Sequence, residues 1–92
     1  YPDKDIETEI LINETGIEKT TAQKLVHIGN KIRNLTVLGL AETASTRLLI
    51  DAAKLIHSGL PNRLAVRVAV VEPLTDETET IAALTDLCNL MI

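Results

Sequence analysis

Residues 45–59, STRLLIDAAKLIHSG, contain the most apolar helical pattern of the chain and decide its fold class. Leucine, isoleucine and alanine surround one polar stripe, whose members recur at spacings of four, three and four: Arg47, Asp51, Lys54 and Ser58. A helix that is apolar on most sides packs in the centre of a bundle. Ser45 is a good N-cap, and Gly59 suits the left-handed position after a helix. We therefore predict a central helix over residues 46–58.

Two helices are predicted before this segment. Asp3 can cap the first, and Gly16 can end it. The second opens at Thr20, where Gln23 follows at the spacing of a capping box. Its predicted core face consists of four residues: Ala22, Leu25, Gly29 and Ile32. A loop of about residues 36–44 then leads to the central helix.

Two more helices are predicted after the central one. Pro61 can begin the fourth as its first residue, and Pro73 is expected to end it. Alternating valines also fit a strand in this segment: Val66, Val68 and Val70. We predict a helix because a lone strand would have no partner. Thr75 and Asp76 can cap a fifth helix that runs to the C-terminus. The expected fold is an all-α orthogonal bundle of about five helices.

Length and composition exclude several classes of protein. Ninety-two residues fit one small domain. Tyr1 is the single aromatic residue, which excludes a base-stacking platform and an aromatic cage. The single cysteine, Cys88, excludes an internal disulfide and a thiolate metal site. The uncharged runs are shorter than the roughly 18 residues of a membrane span. We predict a cytoplasmic protein without a membrane partner.

The net charge of −4 hides a segregation of charges along the chain. Residues 1–18 contain six acids and one base, residues 19–70 eight bases and two acids, and residues 71–92 five acids and no base. The acidic ends argue against a nucleic-acid partner, since duplex DNA binders need a net basic surface. The basic middle segment leaves room for a local anion site.

Most residue types that could perform chemistry have an ordinary structural explanation. His27 and His57 lie on different predicted helices, and nothing marks them as a metal pair. Cys88 falls on the apolar seam of the last helix, as a small core residue would. The other predicted members of that seam are Ile81, Leu84 and Met91. Three acids lie at the start of that helix: Asp76, Glu77 and Glu79. Capping and the helix dipole explain them. We predict no metal site and no catalytic residue.

Arg47 is the exception among these residues. It falls in the first turn of the central helix, where a cation opposes the positive end of the helix dipole. Free backbone N–H groups in the same turn favour an anion. Arg47 could bind such an anion, or it could pair with Glu42 or with Asp51 one turn later. The residues by themselves leave these alternatives open.

Several stretches resemble a known family. They are TASTRLLIDAAKLIHSGLP at residues 43–61, VEPLTD at residues 71–76, YPD at residues 1–3 and the segment around residues 16–22. Together they resemble the C-terminal domain of the CbbQ, NirQ and NorQ proteins, within the MoxR group of AAA+ ATPases. In such ATPases this all-helical domain is the lid that follows the nucleotide-binding α/β domain.

The resemblance implies a nucleotide-sensing role for Arg47. The sensor-2 arginine of the family starts a lid helix in a Ser-x-Arg context, which Ser45, Thr46 and Arg47 match. Many relatives have proline where Thr46 stands. The phosphate loop, the Mg-binding acids and the arginine finger have no counterparts here and are expected upstream. ATP and Mg²⁺ would thus be cofactors of a longer parent ATPase, with residues 1–92 its single C-terminal lid domain and not an enzyme by itself. Tyr1 in place of an initiating Met fits this expectation.

The resemblance also implies partners: the upstream AAA+ domain of the same chain, neighbouring subunits of a ring, a von Willebrand A-domain protein and a metalloenzyme client. Clients of the family are metalloenzymes such as Rubisco or nitric oxide reductase, which the parent would activate in the manner of a chaperone. A small helical protein-interaction module with no nucleotide role is the alternative. A winged or helix-turn-helix DNA-binding module is a third hypothesis, against which the acidic ends and the lack of a basic recognition-helix face argue.

Overall fold

The computed structural model describes residues 3–34, 44–75 and 77–91, and all of their regular structure is helical. The helices are α1 (Lys4–Thr15), α2 (Lys19–Arg33), α3 (Thr46–His57), α4 (Asn62–Val66), α5 (Glu72–Leu74) and α6 (Thr78–Met91). A π-helical turn, Arg67–Val71, joins α4 to α5 without a break. The described residues thus form five helical segments, which confirms the predicted all-α bundle.

Helix α3 lies at the centre of this bundle. It packs against α1, α2, α4 and the π-helical turn. Leu49, Ala52 and Ala53 are fully buried, whereas Arg47 and Lys54 of the polar stripe are exposed. The predicted core face of α2 is also buried. The apolar pattern of α3 therefore predicted its position correctly.

Helices α2 and α3 approach each other closely at Gly29. A Cβ atom at this position would lie 2.8 Å from Cδ1 of Leu49, well inside van der Waals contact. Leu49 is fully buried, so its side chain has little room to move away. Glycine at position 29 thus permits the packing of α2 on α3.

The caps predicted at several helix ends are present. Ser45 accepts a hydrogen bond from the Leu48 backbone N–H at 3.3 Å, and Asp3 caps α1. Gly16 and Gly59 have φ angles of 78° and 114°, in the left-handed region that follows a helix. These ends depend on residues within a few positions of one another, which is why the sequence predicts them well.

The prediction of a capping box at Thr20 and Gln23 is wrong. Helix α2 begins at Lys19, and Glu18 occupies the N-cap position without a side-chain hydrogen bond. Glu18 has an extended backbone, with φ −64° and ψ 146°, and the helix begins at the next residue. Thr20 therefore lies inside the first turn, where its hydroxyl cannot act as an N-cap.

Both predicted roles of proline need correction. Pro61 is the N-cap residue of α4 and not its first helical residue. Pro73 does not end its helix, which continues to Leu74. In the preceding π-helical turn, the N–H of Glu72 bonds to the carbonyl of Arg67, five residues back. Such a widened turn accommodates proline, which has no N–H to donate and whose ring clashes in a regular helix.

Three predictions fall partly outside the described residues. Residues 35–43, which include most of the predicted loop, and Asp76 are not described. The hydroxyl of Thr75 accepts a hydrogen bond from the Glu77 N–H at 3.1 Å, just before α6. Leu84 and Cys88 are buried on α6 as predicted, while the side chain of Met91 lies outside the described part.

Candidate functional site

Arg47 lies in the first turn of α3, two residues after the N-cap, and it is exposed. The ion pairs between described residues are Arg33–Glu7 and Arg67–Glu72, so Arg47 does not pair with Asp51. Glu42, the other alternative partner, lies outside the described residues. The guanidinium of Arg47 is therefore not engaged by any charge in the part of the chain that the structure describes.

A polar cluster around the fully buried Glu7 contacts the residues that directly precede Arg47, and we call it the Glu7 cluster. Arg33 donates two hydrogen bonds to the Glu7 carboxylate, at 2.8 and 2.6 Å. The hydroxyl of Thr46 donates to the same carboxylate at 2.7 Å. Nε of Arg33 donates to the carbonyl of Ala44 at 2.6 Å, and Nη1 also donates to Asn30 at 3.0 Å. Five residues from α1, α2 and the start of α3 thus form one network.

The positions of Glu7 and Arg33 on their helices favour this pair. Glu7 lies in the first turn of α1, and Arg33 is the last residue of α2. An acid near a helix N-terminus and a base near a C-terminus each interact favourably with the helix dipole. Glu7 is fully buried, and the Arg33 side chain is 7% exposed. The two-pronged geometry satisfies both carboxylate oxygens away from water.

Opposing effects act on the pKa of Glu7, and the net result is a lowered value. Burial by itself raises the pKa because it disfavours the charged form. The hydrogen bonds from Arg33 and Thr46, together with the positive charge of Arg33, outweigh burial. Glu7 is therefore ionised at neutral pH, as an acceptor of three hydrogen bonds from these two side chains should be.

Stability should therefore depend on the ionisation of Glu7. A carboxyl whose pKa is lower in the folded state stabilises the fold above its unfolded pKa, here near the ordinary 4.5. This contribution is lost as the pH falls through the lowered folded pKa. Thermal unfolding measured from pH 7 downward should show a loss of stability in acid that Glu7→Gln reduces. The exposed Glu9 provides the matched control. An equal acid dependence in Glu7→Gln and Glu9→Gln would contradict this expectation.

The residue patterns of the sequence do not predict the Glu7 cluster. Neither Glu7 nor Arg33 is among the candidate residues that the sequence patterns single out. One signal was available, because Glu7 lies four residues before the fully buried Leu11 and so shares its helix face. An acid on a core-facing position needs a buried partner. The partners, at separations of 26 and 39 residues, could not be identified from that signal.

The remaining candidate residues, apart from Asp76, lie in the described part of the chain. His27 and His57 are exposed, as are Glu77 and Glu79. Cys88 is a free, buried thiol, and burial raises its pKa to about 11, which keeps it protonated and unreactive. In the described part of the chain, no group of three or more His, Cys, Asp or Glu residues could hold a metal ion. No helix there is long and apolar enough to cross a membrane.

The fold and the site together define a small helical domain with an exposed arginine at the start of its central helix. Residues 7–91 match the family model described as CbbQ/NirQ/NorQ C-terminal. The chain belongs to this family of C-terminal domains, which confirms the resemblance of its sequence motifs.

Curated relatives support the same assignment. The chain is 48% identical over 92 residues to the denitrification regulatory protein NirQ of Pseudomonas aeruginosa, covering 100% of this chain and 35% of that protein. It is 39% identical over 79 residues to Protein CbbQ of Hydrogenophilus thermoluteolus, covering 86% and 30%. It is 38% identical over 87 residues to Protein NorQ of Paracoccus denitrificans, covering 95% and 32%. The chain therefore spans about a third of the length of these relatives.

Proposed function

We propose that this chain is the lid of a MoxR-type AAA+ ATPase and that Arg47 is its sensor-2 arginine. One observation supports the role of Arg47 above all: its charge is exposed in the first turn of α3 and pairs with no other described residue. Ser45 and Thr46 form the start of the helix on which it depends. In this proposal the lid transmits the nucleotide state to the rest of the protein through a rotation of the domain.

The chemistry of this position suits a phosphate group. A cation in the first turn of a helix costs roughly 0.3 to 1 kcal/mol, because it opposes the positive end of the dipole. A phosphate bound beside Arg47 would offset this cost, since both the guanidinium and the helix terminus attract an anion. In phosphoryl transfer an arginine stabilises the negative charge that develops on the transferred group.

Most of the ATP site would come from outside these 92 residues. The relatives are about three times as long as the chain, which leaves room for a nucleotide-binding domain. Mg²⁺ would also be held there, since the described residues of this chain offer no cluster of acids for it. We propose that ATP and Mg²⁺ bind between such a domain and the start of α3, in the cytoplasm.

The proposed partners follow from the same assignment. They are the AAA+ domain of the same protein, neighbouring subunits of a ring, a von Willebrand A-domain protein and a metalloenzyme client. The name of the Pseudomonas relative, a denitrification regulatory protein, supports a client of the nitric oxide reductase type. A client of the Rubisco type is the other family possibility, and we propose chaperone-like activation in either case.

A protein-interaction module without a nucleotide role is the second candidate. Leu64 and Val68 lie four residues apart and are 45% and 43% exposed, which gives α4 and the π-helical turn an apolar surface. Such a surface suits a protein contact. The complete open reading frame separates the two candidates, because the ATPase proposal requires a Walker A and a Walker B motif upstream.

The isolated chain is expected to fold but not to hydrolyse ATP. Positioning of the phosphates and metal coordination, which accelerate phosphoryl transfer, would reside in the upstream domain. Circular dichroism should show a helical protein, and a phosphate-release assay should give only background. The complete protein should hydrolyse ATP under the same conditions. Activity in the isolated chain, or none in a folded complete protein, would contradict the proposal.

A further inference from the structure

We infer that Thr46 and Glu7 are positioning residues for Arg47, an inference that rests on the sensor role proposed for Arg47. The hydroxyl of Thr46 donates to the buried carboxylate of Glu7 at 2.7 Å, and Arg47 is the next residue along α3. The Glu7 cluster therefore holds the turn from which the sensor side chain projects.

Three consecutive residues before Arg47 are held by hydrogen bonds. The carbonyl of Ala44 accepts from Nε of Arg33 at 2.6 Å. The hydroxyl of Ser45 accepts from the Leu48 backbone N–H at 3.3 Å. Thr46 donates to Glu7. The first and third of these bonds tie the start of α3 to α1 and α2, because Glu7 and Arg33 belong to those helices.

Stability alone does not explain a buried ion pair at this point. Removing two charges from water carries a large desolvation cost, and apolar residues of similar volume often stabilise a fold equally well. Unlike an apolar contact, these interactions are directional. Arg33 and Thr46 donate hydrogen bonds of defined geometry to the two oxygens of the Glu7 carboxylate. Such geometry determines where the helix begins and how its first turn is oriented.

Orientation matters for an arginine that acts on phosphate charge. A group that stabilises a transition state must be in place before the reaction, and a displacement of about 1 Å can lower the rate by about 100-fold. Arg47 itself is exposed, so the described side chains around it do not hold its guanidinium in one place. The direction of its Cα–Cβ bond is set by the first turn of α3, which the Glu7 cluster holds.

The test uses the complete protein and substitutions of Thr46. Thr46→Val keeps the shape of the side chain but removes the hydroxyl, and Arg33 still satisfies the Glu7 carboxylate. We expect kcat for ATP hydrolysis to fall by about 10-fold or more. Thr46→Ser restores a hydroxyl and should recover most of the activity. Thr78→Val is the matched control, since Thr78 is the exposed first residue of α6 and should leave kcat unchanged.

A double-substitution cycle shows whether Thr46 acts through Arg47. In an Arg47→Ala background, Thr46→Val should cause no further loss of kcat, because there is no guanidinium left to position. Thermal unfolding of each variant separates this effect from a general loss of folding. The inference is overturned if Thr46→Val is as active as the wild type, if Thr46→Ser fails to recover activity, or if the two substitutions lower kcat independently. A fully active Arg47→Ala protein would instead overturn the sensor proposal itself.

Discussion

Arg47→Ala should lower ATP hydrolysis by the complete protein by about 100- to 1000-fold, the range for removing one donor that stabilises transition-state charge. The same substitution should leave the free energy of unfolding of the 92-residue chain unchanged or slightly raised. Arg47 pairs with no described residue, and its charge opposes the dipole of α3. Phosphate release and denaturant unfolding, measured on the same variant, test both expectations.

Two further variants show whether the loss of ATP hydrolysis comes from the missing charge at position 47 or from the missing geometry of the guanidinium. Arg47→Lys should recover only part of the activity, because an ammonium lacks the planar fork that engages two phosphate oxygens. Lys54→Ala is the matched control, since Lys54 is an exposed cation on the polar stripe of the same helix. It should leave hydrolysis nearly unchanged. A destabilised chain combined with unimpaired hydrolysis in Arg47→Ala would make Arg47 a structural residue.

Leu49→Ala should lower the free energy of unfolding by about 2 to 5 kcal/mol, the usual cost of truncating a fully buried leucine. Leu49 lies on the central helix, and its neighbours cannot close the cavity without moving α2 against α3. In a domain of this size such a loss is a large share of the total stability. Ile56→Ala should cost less, because Ile56 is only partly buried. Denaturant melts in which Leu49→Ala loses no more unfolding free energy than Ile56→Ala would contradict the central position of Leu49.

A second substitution, at position 29, tests whether Gly29 and Leu49 interact. The three atoms nearest to a Cβ at position 29 are Cδ1, Cδ2 and Cγ of Leu49, at 2.8, 3.3 and 3.5 Å. Leu49→Ala removes all three. In that background Gly29→Ala should recover about 1 kcal/mol, because alanine favours the helix and its methyl group fills part of the cavity. In the wild type the same change should be less favourable, since the methyl group would collide with Leu49. Equal effects in the two backgrounds would mean that these residues do not interact.

The departures of α2 and of the two prolines from their sequence patterns have a common origin. Thr20 and Gln23 have the spacing of a capping box, yet the backbone enters the helix at Lys19. Pro73 is expected to stop a helix, yet a π-helical turn before it accommodates the ring. In both cases a short residue pattern is compatible with more than one local geometry. Packing of the neighbouring helices decides between such geometries, and a short pattern contains no information about that packing.

Local residue patterns predict the class of fold, the central position of α3 and most of the helix ends. Each of these depends on residues within about one turn of each other, or on an apolar face of a single helix. Ser45, Gly16 and Gly59 act on their own backbone, and the pattern around Leu49 requires burial on most sides. The placement of Arg47 in the first turn of α3 followed from the same local rules.

The surroundings of the start of α3, in contrast, depend on how the helices pack against one another. Thirteen acids and nine bases allow many ion pairs, and their order along the chain does not say which of them meet. Glu7 bonds to residues 26 and 39 positions away, so its partners depend on how α1, α2 and α3 pack. Apolar burial is not directional and tolerates many arrangements, whereas a buried carboxylate requires particular donors at particular distances. These donors reach Glu7 only when the three helices are packed together. Arg47, the residue after Thr46, is exposed in the turn to which the Glu7 cluster is hydrogen-bonded.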